Sequence, residues 1–534
     1  MKRFGFCALV VLMMTVVGCA TPAEEENNDR PKGLHSIKDD DSRPYALEKG
    51  GEIRVAFTVE DADVVFLGVS DYEVLLRKAG STQSPTEVAI ARVVNGSKAG
   101  EYEAIVADCS GAEVYSLSVT LDIKNNTTST VCKSNKFVVK RSMSLSTGVP
   151  VMVINTVGGV PVVDKENWRA ARISIDGLGQ FESLEECDVE IRGRGNSTWE
   201  FDKKPYALKF PSKTSVLGMP KHKRWVLLAN TMDRTMMRNR VAYRVAEQTS
   251  LAWTPRTEYV EVVLNGEHIG NYLLTEQIRI DKNRINITEM EATDTSGDAV
   301  TGGYVYEMDF HFDNVNQWWT PRGFPSSIKF PDEEDIVPAQ IEWGKNYFNE
   351  VEGVLFGSNF KSPTEGYAKY IDAQSFVDYW LVYEICINHE LANPGSVYMH
   401  KDRGGKLTAG PIWDFDWGTF AYKASPQARG KLFMMGAIWY RRLFEDPAFK
   451  QLAKERWQAL YPKFKAIEDF IEEQYDYLGE SAKRNFAIWD PTTTGNVSGL
   501  ANGDEHLSFD EAYRRFYDFY VDRIETMNGI FATW

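Results

Sequence analysis

The chain has 534 residues, of which 43% are apolar and 12% aromatic, and its 60 Lys and Arg against 76 Asp and Glu give a net charge of -16. A chain of this length exceeds one ordinary hydrophobic core, so we expect two or three domains. The negative charge argues against nucleic acid as a partner, because phosphate backbones are bound by a surplus of Lys and Arg.

The N-terminus predicts export and a lipid anchor. Residues 1–19 begin with a basic pair, continue with an apolar run too short to cross a membrane as a helix, and end at Cys19. This order is typical of a bacterial lipoprotein signal peptide, with lipid attached to Cys19. Residues 20–47 are polar and predict a disordered tether. Their early acidic residues resemble the surface-export signals of Bacteroidetes-type lipoproteins, so we expect a protein anchored to the outer membrane of the cell envelope and exposed on the surface.

Residues 48–140 predict a small all-β domain. Short alternating strands are separated by Gly, Asn and Ser, with no helical periodicity between them, which favours a sandwich-like fold. The segment has no grouping of catalytic side chains, and such modules usually act as spacers or binding domains. Cys109 and Cys132 lie in this segment, and an exported protein could join them in a disulfide.

Residues 149–534 predict an α+β domain in which strands come first and helices follow. Asn265-Gly266 stands between two apolar strands and indicates a hairpin. Asp233 precedes a stretch of helical periodicity and could cap that helix. After Pro363 the spacing predicts an aromatic-rich core helix, and amphipathic helices follow to the C-terminus. We expect a ligand at the junction of the β-rich and helical parts.

The first motif with a chemical signature is IRGRGNSTW, which alternates Arg and Gly. Glycines let the backbone approach an anion, and Arg forks bind phosphate oxygens. The nucleotide-binding candidates are Arg192, Arg194, Gly195, Asn196 and Ser197. An Arg-Gly turn on a β-rich surface would give the same pattern.

Lys204 and Lys209 follow, and either could meet a phosphate in a cleft, as a strand Lys does in protein kinases, or extend into solvent.

The second motif is NHELANPG, at the predicted end of the core helix. Pro394-Gly395 forces a turn after it. A carboxylate here, Glu390, precedes a second acidic motif by about two dozen residues, which is the layout of a kinase catalytic loop and its metal-binding Asp. Ordinary capping residues at a helix end would also explain the motif.

The third motif is GPIWDFDWGTF, which places Asp414 and Asp416 among aromatic residues. In an extended strand the two acids would share one face. A buried carboxylate is costly unless it is paired, hydrogen-bonded or bound to a cation. The alternatives are a pair satisfied by an Arg or backbone amides, and a magnesium site in which Asp414 holds an ion that bridges phosphate oxygens while Asp416 holds a second ion or orients the first.

These segments resemble the spore coat protein H-like (CotH) family of atypical protein kinases from about Val149 to Trp457. The resemblance is carried by RGRGNSTW, KKPYALKF, KRWVLLANTMDRTMMRNRVAYRVA, VVLNGEHIGNYLLTEQI, GPIWDFDWG and RLFEDPAFKQLAKERW. It implies a divergent two-lobed protein-kinase-like fold that binds ATP with magnesium and phosphorylates Ser or Thr of secreted or surface proteins. It also implies that Asp414 holds the metal and that Glu390 stands near the family's catalytic acid, which is often Asp.

Two other functions stay open. A kinase-like domain behind a β-sandwich could serve as a surface binding or adhesion protein with weak catalysis, since ATP is scarce outside the cytoplasm. The same nucleotide and metal site could also support another transfer, such as adenylylation or amide ligation. A glycosidase is less favoured, because the Arg/Gly and Lys motifs suit phosphate better than sugar.

Overall fold

The structure, a computed structural model, divides into two compact units. One takes residues 1–146, 153–155 and 263–269, and the other takes the rest of the chain. The structure describes eight strand backbones between residues 36 and 140, and residues 147–312, 315–421, 430–489, 502–504 and 506–534. The predicted signal peptide and the predicted Cys109–Cys132 disulfide lie outside the described residues.

The described part of the first 140 residues is composed of strands. They are β1 (Ser36–Lys38), β2 (Glu52–Thr58), β3 (Tyr72–Lys78), β4 (Ala89–Asn95), β5 (Glu101–Asp108), β6 (Ser116–Asn125), β7 (Val131–Lys133) and β8 (Phe137–Lys140). One sheet has the order β1-β2-β5-β4, and the other has β3-β6-β7 with β8 paired to β6. Most of the strands predicted for residues 48–140 are present, whereas the one predicted at residues 63–69 lies outside the described residues, and the sandwich-like domain stays a prediction. Strand β1 adds a strand within the predicted tether.

Seven strands close into a barrel, which the sequence did not predict. They are β9 (Val151–Thr156), β10 (Arg169–Asp176), β11 (Leu184–Gly193), β12 (Tyr206–Val216), β13 (Met219–Leu228), β14 (Thr257–Leu264) and β15 (Glu267–Glu276), in the order β10-β11-β12-β13-β15-β14-β9. The predicted Asn265-Gly266 hairpin is confirmed between β14 and β15. Both turn residues have positive φ, 50° and 78°, as a type I′ turn requires.

A five-stranded sheet and the helices follow. The sheet has the order β17-β18-β16-β19-β20, formed by β16 (Tyr304–Met308), β17 (Gln317–Trp319), β18 (Pro325–Phe330), β19 (Val397–Lys401) and β20 (Leu407–Ala409). The helices are α1 (Arg238–Glu247), α2 (Pro338–Leu355), α3 (Tyr367–Tyr370), α4 (Ala373–Cys386), α5 (Tyr440–Leu443), α6 (Pro447–Lys465), α7 (Ile467–Ile488) and α8 (Phe509–Ala532).

Helix α4 is the centre of the helical core. Its N-cap, Asp372, accepts hydrogen bonds from the first turn, and residues 375–386 are all buried. It contacts α1, α6 and α8. The predicted aromatic-rich core helix and the predicted C-terminal helices are both confirmed, because their apolar periodicity is local and strong.

The mixed α+β class is confirmed, whereas the two-lobed kinase arrangement stays a prediction. Within the described ranges, no helix combines the length and the apolarity that crossing a membrane requires.

Candidate active site

A cavity of about 440 Å³ brings several predicted residues together. Its walls come from the Arg/Gly loop after β11, residues 228–231 at the end of β13, the end of β16 with residues 309–311, the loop between α4 and β19, and the loop after β20, with one residue each from β18 and β19. The predicted residues that line it are Arg194, Gly195, Asn196, Ser197, Glu390, Asp414 and Asp416.

The segment carrying the two aspartates is a loop, so the extended strand expected there is wrong. Asp414 has a φ of 66°, in the left-handed region that few residues other than Gly, Asn and Asp adopt. Phe415 is buried, and its N–H donates to Oδ1 of Asn239 at 2.7 Å. Nδ2 of Asn502 donates to the carbonyl of Asp416 at 2.7 Å. The loop is therefore fixed by side chains from α1 and from near α8, with both carboxyl groups on the cavity.

The pKa values of both aspartate carboxyl groups are raised. Burial raises the pKa of Asp414, partly opposed by the Arg194 guanidinium. Burial, followed by the Asp414 charge, raises the pKa of Asp416 well above its usual range. Neighbouring carboxylates disfavour each other's ionisation. A divalent cation would favour the ionised form of both.

Glu390 has a carboxyl oxygen with no partner. It lies in a short 3₁₀ helix, His389–Leu391, where its N–H donates to Oδ1 of Asn388 at 2.7 Å. Burial, followed by the charges of Asp414 and Asp416, raises its pKa well above the usual range. Its Oε2 is enclosed and has no hydrogen-bond partner among the described residues. An enclosed, unsatisfied acceptor of this kind suits a hydroxyl donor from a ligand.

Three cavity residues were missed by the sequence analysis. Glu307 on β16 forms an ion pair with Lys329 on β18 at 3.1 Å, and Tyr398 on β19 donates its hydroxyl to Glu307. All three line the cavity. The signal was available, because Glu307 and Lys329 are each the single charged residue of a short strand.

Three predicted residues are not among those that line the cavity. The Arg192 guanidinium lies 4.6 Å from the ring centroid of Trp168. Lys209 is paired with Glu190 at 2.8 Å, its neighbour across β11 and β12. Lys204 donates to the carbonyl of Trp199 at 2.6 Å. The side chains of Arg192, Lys204 and Lys209 therefore have partners within the barrel and its flanking turn.

The Arg/Gly loop needs glycine at position 195. Its φ is 88°, and a Cβ there would lie 2.1 Å from Oγ1 of Thr198. Any other residue would be strained and would displace Thr198. The Lys165 ammonium donates to the Gly195 carbonyl at 3.0 Å and holds the loop in place. Residues 194–198 line the cavity, so an anion bound there would lie beside this loop and the Arg194 guanidinium.

A nucleotide with magnesium fits this donor set. Among the described residues, no three His, Cys, Asp or Glu side chains are grouped as a ready-made metal site. Magnesium does not need one, because it is usually held by one or two carboxylates together with phosphate oxygens and water. Asp414 and Asp416 would supply the carboxylates, and Arg194 with the Gly195 loop would meet the phosphates.

A buried ion-pair network lies beneath the aspartate loop. Arg238, at the start of α1, forms ion pairs with Asp233 and, at 2.8 Å, with Asp504. Its Nε donates to the Thr419 carbonyl at 2.8 Å. Asp233 is not the N-cap, since the cap is Met237, but its Oδ2 accepts the N–H of Arg238 at 2.7 Å. The network joins α1, the segment before α8 and the aspartate loop.

The raised carboxyl pKa values predict a pH dependence of stability. The carboxyl groups of the unfolded chain have pKa values near 4. In the folded chain the pKa values of Asp414, Asp416 and Glu390 are raised, so these groups keep their protons to higher pH. Their contribution to stability is therefore complete below about pH 4 and is lost as pH rises through the folded pKa values, by about 1.4 kcal/mol per pH unit for each proton. Without magnesium, we expect the free energy of unfolding to fall as pH rises above about 4, the ordinary carboxyl pKa.

Asp416→Asn isolates this contribution from that of the other carboxylates. Denaturant titrations over the same pH range should give a flatter pH dependence for the variant than for the parent protein. An equal dependence of the unfolding free energy on pH in the two proteins would contradict a raised pKa of Asp416.

Comparison with known proteins gives one extensive match. A family model described as CotH kinase protein matches residues 191–527. No curated protein matches the chain. A solved structure, surface layer protein SbsC, domains 4–9, is 15% identical with a TM-score of 0.14, covering 36% of this chain and 30% of that one. A score this low carries no structural argument, and the match spans less than a third of that structure.

Proposed function

The chain belongs to the CotH kinase family, and from this premise we propose that it transfers a phosphoryl group from ATP, with magnesium, to Ser or Thr of a secreted or surface protein. The observation that carries the proposal is the composition of one cavity. Arg194 and Gly195 of the Arg/Gly loop line it together with Asp414, Asp416 and Glu390. An anion-binding loop, metal-binding carboxylates and a carboxylate base are the parts that phosphoryl transfer requires.

Each side chain has a role set by its charge and surroundings. Bound ATP with magnesium supplies the transferable phosphoryl group and neutralises its charge. Arg194 and the Gly195 loop orient the phosphates, and Asp414 with Asp416 holds the ion. Glu390 takes the proton of the acceptor hydroxyl as the new oxygen–phosphorus bond forms and the bond to ADP breaks.

Glu390 is the proposed base, and its replacement separates chemistry from binding. Glu390→Gln should lower kcat by about 10²- to 10⁴-fold with little change in nucleotide affinity, because the amide cannot accept the proton. Glu390→Asp is the matched control and should keep part of the activity.

In the parent protein kcat should rise with pH as Glu390 loses its proton, since its pKa is raised by burial. Steady-state kinetics and nucleotide calorimetry measure the two effects, and a kcat for Glu390→Gln equal to that of the parent protein would exclude this role.

We assign the phosphate contact of a lysine to Lys329, in place of Lys204 or Lys209. Lys329 lines the cavity and is paired with Glu307, which resembles the Lys–Glu pair that protein kinases use to hold phosphates. Lys329→Met should weaken ATP binding by about 10- to 100-fold, the usual value of a charged hydrogen bond. Lys204→Met and Lys209→Met are matched controls and should change the affinity less than twofold. Calorimetry with magnesium measures the ATP affinity of each variant. A larger loss of affinity in Lys204→Met or Lys209→Met than in Lys329→Met would return the phosphate contact to that lysine.

The reaction class is tested with the full chain. ATP is titrated with and without magnesium, and a generic protein acceptor is then analysed by mass spectrometry. Magnesium-dependent binding with addition of one phosphoryl group supports the proposal. Addition of an adenylyl group or formation of an amide would indicate the other transferase reactions, and absence of nucleotide binding at millimolar ATP would favour the surface binding protein.

We also propose that the chain is lipidated at Cys19 and anchored to the outer membrane, as the signal pattern predicts. Metabolic labelling with a fatty acid, compared between the parent chain and Cys19→Ala, tests the anchor. Protease treatment of intact cells tests surface exposure.

A further inference from the structure

Two exposed aromatic residues line the cavity, Phe310 and Trp417, and Trp319 and Phe312 extend the group from Phe310. These four side chains, Phe310, Phe312, Trp319 and Trp417, are named here the aromatic lip. Phe310 and Trp417 line the cavity and are 48% and 41% exposed. Trp319 is 56% exposed, and its ring centroid lies 6.0 Å from that of Phe310 and 5.1 Å from that of Phe312. Single exposed apolar residues need no explanation, but a group at the mouth of a cavity marks an interaction site.

The aromatic lip is joined to the loop that carries the proposed base. The N–H of Phe310 donates to the Pro394 carbonyl at 3.0 Å. The neighbouring Asp309 accepts the N–H of Ser396 at 2.9 Å. A group that binds at Phe310 would therefore lie beside the loop that carries Glu390.

The sheet edge favours an extended polypeptide over a sugar. Trp319 ends β17, the terminal strand of its sheet, and is paired with Pro325 on the inner neighbour β18. A terminal strand offers backbone hydrogen bonds on its outer side, and an added strand places alternate side chains against the residues beside it.

Charge adds a second constraint on the partner. The carboxylates of the cavity outnumber its Lys and Arg, which are Lys329 and Arg194. The carboxylates are Glu307, Asp309, Glu390, Asp414 and Asp416. ATP carries about four negative charges, so one or two magnesium ions do not make the loaded cavity positive. A cationic side chain near the acceptor hydroxyl would complement this field.

We propose that the aromatic lip docks the acceptor, and that the acceptor is an extended polypeptide segment with an apolar or aromatic side chain and a Lys or Arg within a few residues of its Ser or Thr. This inference rests on the proposed function, since it names the substrate class of the same site. The aromatic lip contributes apolar contact area, and the surrounding carboxylates select the cation.

Paired synthetic peptides test the proposal with the full chain. One peptide carries Ser with a Trp and two Lys nearby, and its partner has the Trp replaced by Ser. The double variant Phe310→Ala and Trp319→Ala should raise KM for the Trp peptide about tenfold or more, with kcat and ATP affinity unchanged. The partner peptide should bind weakly to both proteins. Trp319→Phe should retain most of the preference, and Val163→Ala, an exposed apolar residue that is not among the cavity residues, should change nothing.

A binding measurement separates this inference from the proposed function. Peptide affinity is measured by calorimetry with a non-hydrolysable ATP analogue and magnesium, which requires no catalysis. Peptide binding that depends on the Trp, without phosphoryl transfer, would support docking of the peptide on the aromatic lip and overturn the proposed reaction. Phosphoryl transfer with the same KM in the double variant would overturn the lip and leave the reaction standing. Preference for the Ser partner peptide, or for a sugar, would overturn the named substrate class.

Discussion

Asp414→Asn is expected to lower the rate of phosphoryl transfer about a thousandfold or more while making the nucleotide-free protein more stable. The loss in rate follows from loss of the metal-binding carboxylate, since a bound cation contributes several kcal/mol to stabilising the transition state. The gain in stability follows because an amide that carries no charge replaces one of two neighbouring buried carboxyl groups. We expect this gain to be about 1 kcal/mol at neutral pH. Asn is chosen because it tolerates the φ of 66° at this position.

The control for this prediction is Asp335→Asn, an exposed carboxylate that does not line the cavity. It should alter neither the rate nor the stability by a measurable amount. Magnesium-dependent ATP binding should be lost in Asp414→Asn alone, as measured by calorimetry. Retention of a tenth of the activity, or unchanged magnesium dependence, would exclude Asp414 as the main metal ligand.

Arg238→Leu is expected to lower the free energy of unfolding by about 3–5 kcal/mol, because it leaves two carboxylates buried without their cation. Arg238 is 3% exposed and its partners Asp233 and Asp504 are buried as well. The same change should weaken nucleotide binding, since Arg238 also holds the aspartate loop through the Thr419 carbonyl. Denaturant unfolding, followed for the transition of this unit, measures the first effect.

Arg244→Leu on the same helix is the matched control. Arg244 is paired with Glu247 at 3.0 Å, but the two side chains are 45% and 39% exposed. Exposed pairs of this kind contribute about 0.5 kcal/mol or less, so the helix should tolerate the change. The double variant Asp233→Asn and Arg238→Met should be more stable than Arg238→Leu, because fewer charges stay unpaired. An effect below about 1 kcal/mol for Arg238→Leu would show that the network is solvated in solution.

Elements and motifs with local signals could be predicted from the sequence. The Asn265-Gly266 turn, the buried helix α4 and the loop with Glu390 after it all depend on neighbouring residues. Backbone preferences and apolar periodicity act over a few residues, so they can be read along the chain. Family membership also followed from motifs in their order, and the match to the CotH kinase family confirmed it.

Which side chains meet depends on the tertiary fold. Barrel closure pairs β9 with β14, which lies far along the chain, as well as with the next strand, β10. Lys209 and Lys329 share the same local signal, a Lys in an apolar strand, yet only Lys329 lines the cavity. The backbone at Asp414 turns because Asn239 and Asn502, far apart in the chain, bind its neighbours. Such contacts depend on long-range packing and on hydrogen bonds between distant segments, and the physical reason is that no property of the local sequence encodes their partners.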